Sequence, residues 1–221
     1  MKKSDINYTI EKLGEMYLDA RPMLDFETPY QLLVAVTLSA QCTDERVNKV
    51  TKELFKVAGT PEKMNSLSEE EILSYIKTCG LGKAKSLALK NASRDILEKF
   101  NGEVPADIKL LQTLQGVGIK TANVVASVAF GIPAIAVDTH VFRVSNRIGL
   151  ANGKTLAKTQ SDLEKNIPRE LWTKSHHYLI FHGRKICKAQ RPLCGECQLA
   201  DICKQNKANM RKALKANDTK K

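Results

Sequence analysis

Four cysteines within seventeen residues, Cys187-x6-Cys194-x2-Cys197-x5-Cys203, constrain this chain more than any other feature. The polar start Met1-Lys2-Lys3-Ser4-Asp5 is followed by no signal-peptide apolar core, which predicts a reducing compartment. There, the six cysteines read as metal ligands or core residues rather than as disulfides. Four thiolates at such spacing suit tetrahedral zinc or an iron–sulfur cluster, and spacing alone does not separate the two. The quartet lies among Arg184, Lys185, Lys188 and Arg191, so the loop it organises is basic. Cys42 and Cys79 are remote from it and read as ordinary helix residues.

The rest of the chain reads as helix. Thr28-Pro29 forms a cap and first-turn proline before Tyr30–Ser39. Thr43-Asp44-Glu45 opens another helix with acids at its positive end. Ser68-Glu69-Glu70-Glu71 has capping-box spacing for a helix expected to end near Cys79-Gly80. Further helices are predicted over Lys83–Phe100, Asp107–Leu114, Lys120–Phe130 and Thr139–Ile148, with two more starting at Thr155 and Leu171. No alternating strand pattern interrupts them, so the fold class is all-α.

Charge narrows the partner. Lys and Arg number 35 against 24 acids, a net charge of +11, which calls for a polyanion: nucleic acid or an anionic membrane surface. The segment 204–221 holds +6 of this, as a non-specific tether or a solvated end. The longest apolar stretch, Val124–Val137, is too short to span a bilayer and is broken by Ser127, Gly131 and Pro133.

Gly116-Val117-Gly118 predicts a tight turn whose following helix offers free backbone N–H groups and a positive dipole end, suited to a phosphate. It is no nucleotide-binding loop, because the Gly-x4-Gly-Lys spacing is missing. Lys120 falls in the first turn of that helix, where the dipole disfavours an ammonium and burial would depress its pKa further. A lysine held partly neutral is a Schiff-base nucleophile; a phosphate contact is the alternative. Eighteen positions on, Asp138 occupies a natural N-cap position. A capping carboxylate also suits stabilisation of a cationic sugar. The apolar run between the two predicts a passage from one lobe to another.

Together, Leu-x-Gly-Val-Gly-x-Lys-Thr-Ala at Leu114–Ala122, Val137-Asp138-Thr139-His140 and the cysteine quartet resemble the endonuclease III family, as do Leu38-Ser39-Ala40-Gln41 and Thr43-Asp44. The resemblance runs from about Tyr30 to Cys203. It implies two helical lobes with a cleft between them: a six-helix lobe over 23–132 with a helix-hairpin-helix at about 108–131, and a cluster lobe of 1–22 plus 133–203, followed by the basic tail 204–221. It implies a DNA glycosylase that removes oxidised pyrimidines from duplex DNA and cleaves abasic sites by β-elimination. In that scheme Lys120 is the Schiff-base lysine and Asp138 the catalytic aspartate. Cys187, Cys194, Cys197 and Cys203 hold a 4Fe–4S cluster. Gln41 and Leu81 fill the gap left by an extruded nucleotide. Gly116, Gly118, Lys120, His140, Arg143, Arg184, Lys188 and Arg191 are the further DNA contacts. A monomer in the cytoplasm, associated with the nucleoid and not with membrane, is expected. The chain departs from the family pattern at Gln115 (usually proline), Ile119 (commonly basic) and Gly82 (frequently bulkier).

Overall fold

The computed structural model describes residues 1–218, which form helices, turns and extended loops with no strand among them. Residues 219–221 of the predicted tail lie outside the described set. No described helix is long and apolar enough to cross a membrane. The chain divides into one unit of Pro22–Ala134 and another of Met1–Arg21 with Ile135–Lys221.

The first unit is built on α2 (Pro29–Ser39), which is apolar nearly all round and buries every residue from Tyr30 to Leu38. A helix without a polar face has to be a core element. Against it pack α3 (Asp44–Ala58), α6 (Gly82–Phe100) and α8 (Ile119–Ala129), with α4 (Pro61–Ser66) and α5 (Glu69–Ile76) on α6 and α3, and the single turn α7 (Ile108–Leu111) on α8. The unit thus holds seven helical segments, not six. The additional start, Thr60-Pro61, repeats the cap-plus-proline signal of Thr28-Pro29, and Thr60 accepts a bond from the Lys63 N–H. The capping box of α5 is formed from both sides, Ser68 to Glu71 and back. That helix nonetheless stops at Ile76 rather than near Cys79-Gly80. Cys42 and Cys79 accordingly lie in turns, not helices. Asn101, left-handed at φ 53°, closes α6 as predicted.

The second unit joins α1 (Lys3–Met16) to α9 (Thr139–Ile148), α10 (Leu156–Asn166), α11 (Trp172–Lys185) and α12 (Lys204–Asp218). Ile6, Ile10 and Leu13 recur at helical spacing on α1 and share a core with Val141, Val144, Ile148, Leu163 and Leu179. Tyr17, just past α1, hydrogen-bonds His182 Nδ1 at 2.9 Å, fixing the N-terminal helix to α11. The predicted tail is helical from Lys204 to Asp218.

His177 of α11 is buried beside His176, the rings 5.0 Å apart. Burial, and then the charge of His176, push its pKa from 6.5 down to about 3. The folded state therefore resists the proton that the unfolded chain takes up. The associated stability is complete above pH 6.5 and is lost as pH falls from 6.5 towards 3. At about pH 5 the loss is roughly 2 kcal/mol. Urea midpoints at neutral pH and at about pH 5 check this, and a His177→Leu variant should show a smaller drop.

Candidate functional site

Between α7 and α8 the chain reverses through Gly116, at φ +79°. A β-carbon there meets Ala88 Cβ at 2.8 Å, so both backbone and packing require glycine. Gly116→Ala is expected to cost about 1–3 kcal/mol, read as a lower denaturation midpoint. Gly118 differs: its backbone is extended, and nothing lies within 4 Å of where a β-carbon would stand. It is the N-cap of α8 and supplies no side-chain cap, so the leading N–H groups face an open approach. Gln115 is bonded by the Asn91 side chain, which braces the hairpin where the family has proline.

Lys120 occupies the first turn of α8 and is exposed. The burial expected of it is thus not supplied by the chain itself. Its ammonium forms no hydrogen bond or ion pair with any described residue, in contrast to the i,i+3 and i,i+4 pairs of Lys12, Lys56, Lys99 and Lys158.

Two turns of the same unit carry left-handed, non-glycine residues, Gln41 (φ 54°) and Leu81 (φ 62°). Both are exposed, Leu81 at 57%. An L-residue in this conformation costs about 1 kcal/mol or more, and an exposed leucine recovers none of it by burial. The small Gly82 lets Leu73 approach: a β-carbon at 82 would stand 2.9 Å from Leu73 Cδ1. Beneath these turns the buried Lys85 donates to the carbonyls of Leu38 (2.9 Å) and Ala40 (2.6 Å).

In the second unit Asp138 is the N-cap of α9, one carboxylate oxygen accepting the Val141 N–H at 2.8 Å. The other oxygen lies outside the cap. His140 follows two positions on. Burial lowers its pKa, opposed by the charge of Asp138 and reinforced by Arg143 and Arg184. Arg143, expected to meet DNA, is engaged within its unit. It donates to Cys187 O (3.0 Å), Gly183 O (2.9 Å) and His140 Nδ1 (3.2 Å). Its fork is thereby spent on carbonyls of the cysteine loop and on orienting His140. Arg184, Lys188 and Arg191 are exposed.

The cysteine loop runs from the end of α11 to the start of α12. All four thiols are free and half-buried. They are electrostatic neighbours: burial raises the Cys197 pKa, and Cys203, Cys187 and Cys194 add to the rise. Among the described residues no three potential ligands converge closely enough for a single ion. Four thiols on one loop are the ligand set that an iron–sulfur cluster would use. Arg147 approaches Cys187 Sγ at 3.7 Å and His182 Nε2 lies 3.6 Å from Cys197 Sγ, donors of the kind that support thiolate ligands. Arg147 also donates to Lys188 O and Ala189 O, at 2.7 and 3.0 Å. The residues present therefore fit an iron–sulfur cluster. Arg147, His182 and Lys85 carry no motif or spacing that marks them in the sequence. Arg143 and Arg147 stand four apart on α9, but nothing in the sequence says which carbonyls they meet.

Helix, glycine hairpin, lysine and cysteine loop define a class. Residues 34–169 match the HhH-GPD superfamily of base excision DNA repair proteins, and residues 187–203 match the iron–sulfur binding domain of endonuclease III. Endonuclease III of Bacillus subtilis (strain 168) is 46% identical, the match covering 95% of this chain and 96% of that protein. That of Escherichia coli (strain K12) is 49% identical over 81% of this chain and 85% of the other. A solved non-covalent endonuclease III–DNA complex superimposes with a TM-score of 0.90 at 45% identity, covering 96% of this chain and 99% of that one. The chain belongs to the endonuclease III family, and is a base-excision DNA glycosylase and abasic-site lyase with an iron–sulfur binding domain.

Proposed function

We propose that this enzyme acts as a monomer on duplex DNA, removes oxidised pyrimidines and cuts the strand at the emptied or pre-existing abasic site through a Schiff base on Lys120. The observation that carries this reading is the exposed, unpaired Lys120 directly after the uncapped N-terminus of α8. The N–H groups after Gly118 hold a phosphate of the damaged strand, which the open approach permits. Gln41 and Leu81, presented by costly backbone, fill the space left by the extruded nucleotide.

The Lys120 amine attacks the anomeric carbon as the bond to the base breaks, and the base leaves with a proton. Bound DNA excludes water from the reacting amine and sugar. The Asp138 oxygen outside the cap stabilises the cationic sugar. The sugar's C1′–O4′ bond then opens, O4′ taking the amine's proton, to leave the imine; the imine acidifies the neighbouring sugar C–H, and loss of that proton with β-elimination expels the 3′ phosphate. Cys187, Cys194, Cys197 and Cys203 hold a 4Fe–4S cluster, which when bound supplies iron–thiolate bonds that shape the loop. Arg184 in the last turn of α11, and Lys188 and Arg191 on that loop, then contact phosphate. Arg143 positions the loop and His140.

The test is a duplex carrying one thymine glycol beside its undamaged twin. Excision and strand cleavage on the first alone support the reading. Equal inactivity on both, from folded and iron-loaded protein, would overturn it. Sedimentation and iron and sulfide analysis check the single-chain state and the cluster type.

A further inference from the structure

Cys42 and Cys79 belong neither to the cluster loop nor to the hairpin. Cys42 sits one residue after Gln41, in the turn between α2 and α3. Cys79 sits two residues before Leu81, in the turn between α5 and α6. The two turns touch: a β-carbon on Gly80 would stand 3.1 Å from Gln41 O and 3.9 Å from Gln41 Cβ. Cys79 is buried, and Cys42, half-buried, packs on the same core. Lys85, beneath both turns, holds the first by two carbonyls and interacts with both thiols.

We propose that Cys42 and Cys79 are a redox-modification site: peroxide converts the pair to a reversible disulfide that ties the Gln41 turn to the Leu81 turn and slows base excision. The effect on excision rests on the reading above that these two residues fill the space of the extruded nucleotide.

The chemistry needs one peroxide. The accessible Cys42 sulfur attacks a peroxide oxygen; the O–O bond breaks, a sulfenic acid forms and one water leaves. The Cys79 sulfur then attacks the Cys42 sulfur; the S–S bond forms, the S–O bond breaks, and the Cys79 proton departs with the hydroxyl as a second water. Two thiols are oxidised and one peroxide is reduced to two waters. Burial, then the hydrogen bond and charge of Cys42, push the Cys79 thiol up to about 11. Cys79 therefore acts as the resolving thiol, not the first to react. A covalent bond holds the sulfurs closer than any thiol contact. Both turns must shift to form it, and both display their contact residue in the left-handed region.

The experiment titrates the full, cluster-loaded chain with hydrogen peroxide, quenches with catalase and alkylates the remaining thiols. Peptide mass analysis and thymine-glycol excision are read on the same samples, with the cluster's visible absorbance as control. The expected result is one linked peptide pair containing Cys42 and Cys79. Excision falls about tenfold or more, as a small misplacement of contact residues can cause, and dithiothreitol restores both. Cys42→Ser should excise normally when reduced, form no link and resist peroxide at the same dose. Cys79→Ala, with a small apolar residue at the buried position, should behave alike. Both cysteines alkylated at doses that already bleach the cluster would overturn the proposal. So would a full link with unchanged excision, or equal peroxide sensitivity in Cys42→Ser. If reduced wild type excises nothing, the proposed function falls and takes the rate effect with it. The link is read by mass without DNA, so the two failures are told apart.

Discussion

Lys120→Ala is expected to give no covalent adduct when mixed with borohydride and duplex DNA carrying one thymine glycol, whereas the wild type is trapped. Borohydride reduces an imine between lysine and sugar and leaves other complexes untouched, so the adduct reports the bond itself. Excision should fall by roughly 1,000-fold, the scale of losing a nucleophile. Folding should not follow it. Lys120 is exposed and unpaired, and alanine favours helix, so stability should stay within about 0.5 kcal/mol. An adduct that survives the substitution would place the nucleophile elsewhere. Lys85, whose pKa burial lowers, is a poor substitute, because its ammonium is buried and given to two carbonyls. A wild type that binds the duplex but is never trapped would remove the lyase step altogether.

The second large effect separates two roles of Asp138. As an N-cap it accepts the Val141 N–H; as a carboxylate it carries the charge proposed to stabilise the sugar cation. Asparagine caps as well as aspartate, whereas alanine does not. Asp138→Asn should therefore unfold within about 0.5 kcal/mol of wild type, and Asp138→Ala about 1 kcal/mol earlier. Both should lose about 100-fold or more in excision, since both lack the charge. Full activity in Asp138→Asn would reduce the residue to a helix cap. Denaturation midpoints and single-turnover excision rates, measured on the same preparations, separate the two contributions.

The parts of the fold that could be read from sequence share one physical property: they are local. Thr28, Thr43, Ser68, Asp138 and Thr155 each bond a backbone N–H three positions on, a distance the sequence displays directly. Gly116 announces its left-handed turn because other residues pay a steric cost there. The helix predicted to run to Cys79 failed where local signals are weakest. Nothing in Lys77-Thr78-Cys79 resembles a stop, and the chain turns at Lys77 because Cys79 and Ile76 must both enter the core.

The candidate site divides the same way. By itself the sequence determined the all-helical class, the hairpin, the lysine that follows it, the capping aspartate and the thiol quartet, since each is a matter of residue type and short spacing. Tertiary structure alone decided what long side chains meet. Arg143 and Arg147 turn to the carbonyls at 183 and 187–189, His182 stands between Tyr17 and Cys197, and Lys85 supports the Gln41 turn. It alone brought Cys42 to Cys79, thirty-seven positions away. Such partners are chosen by how helices pack, and a flexible side chain leaves no periodic trace of the carbonyl or sulfur it will reach.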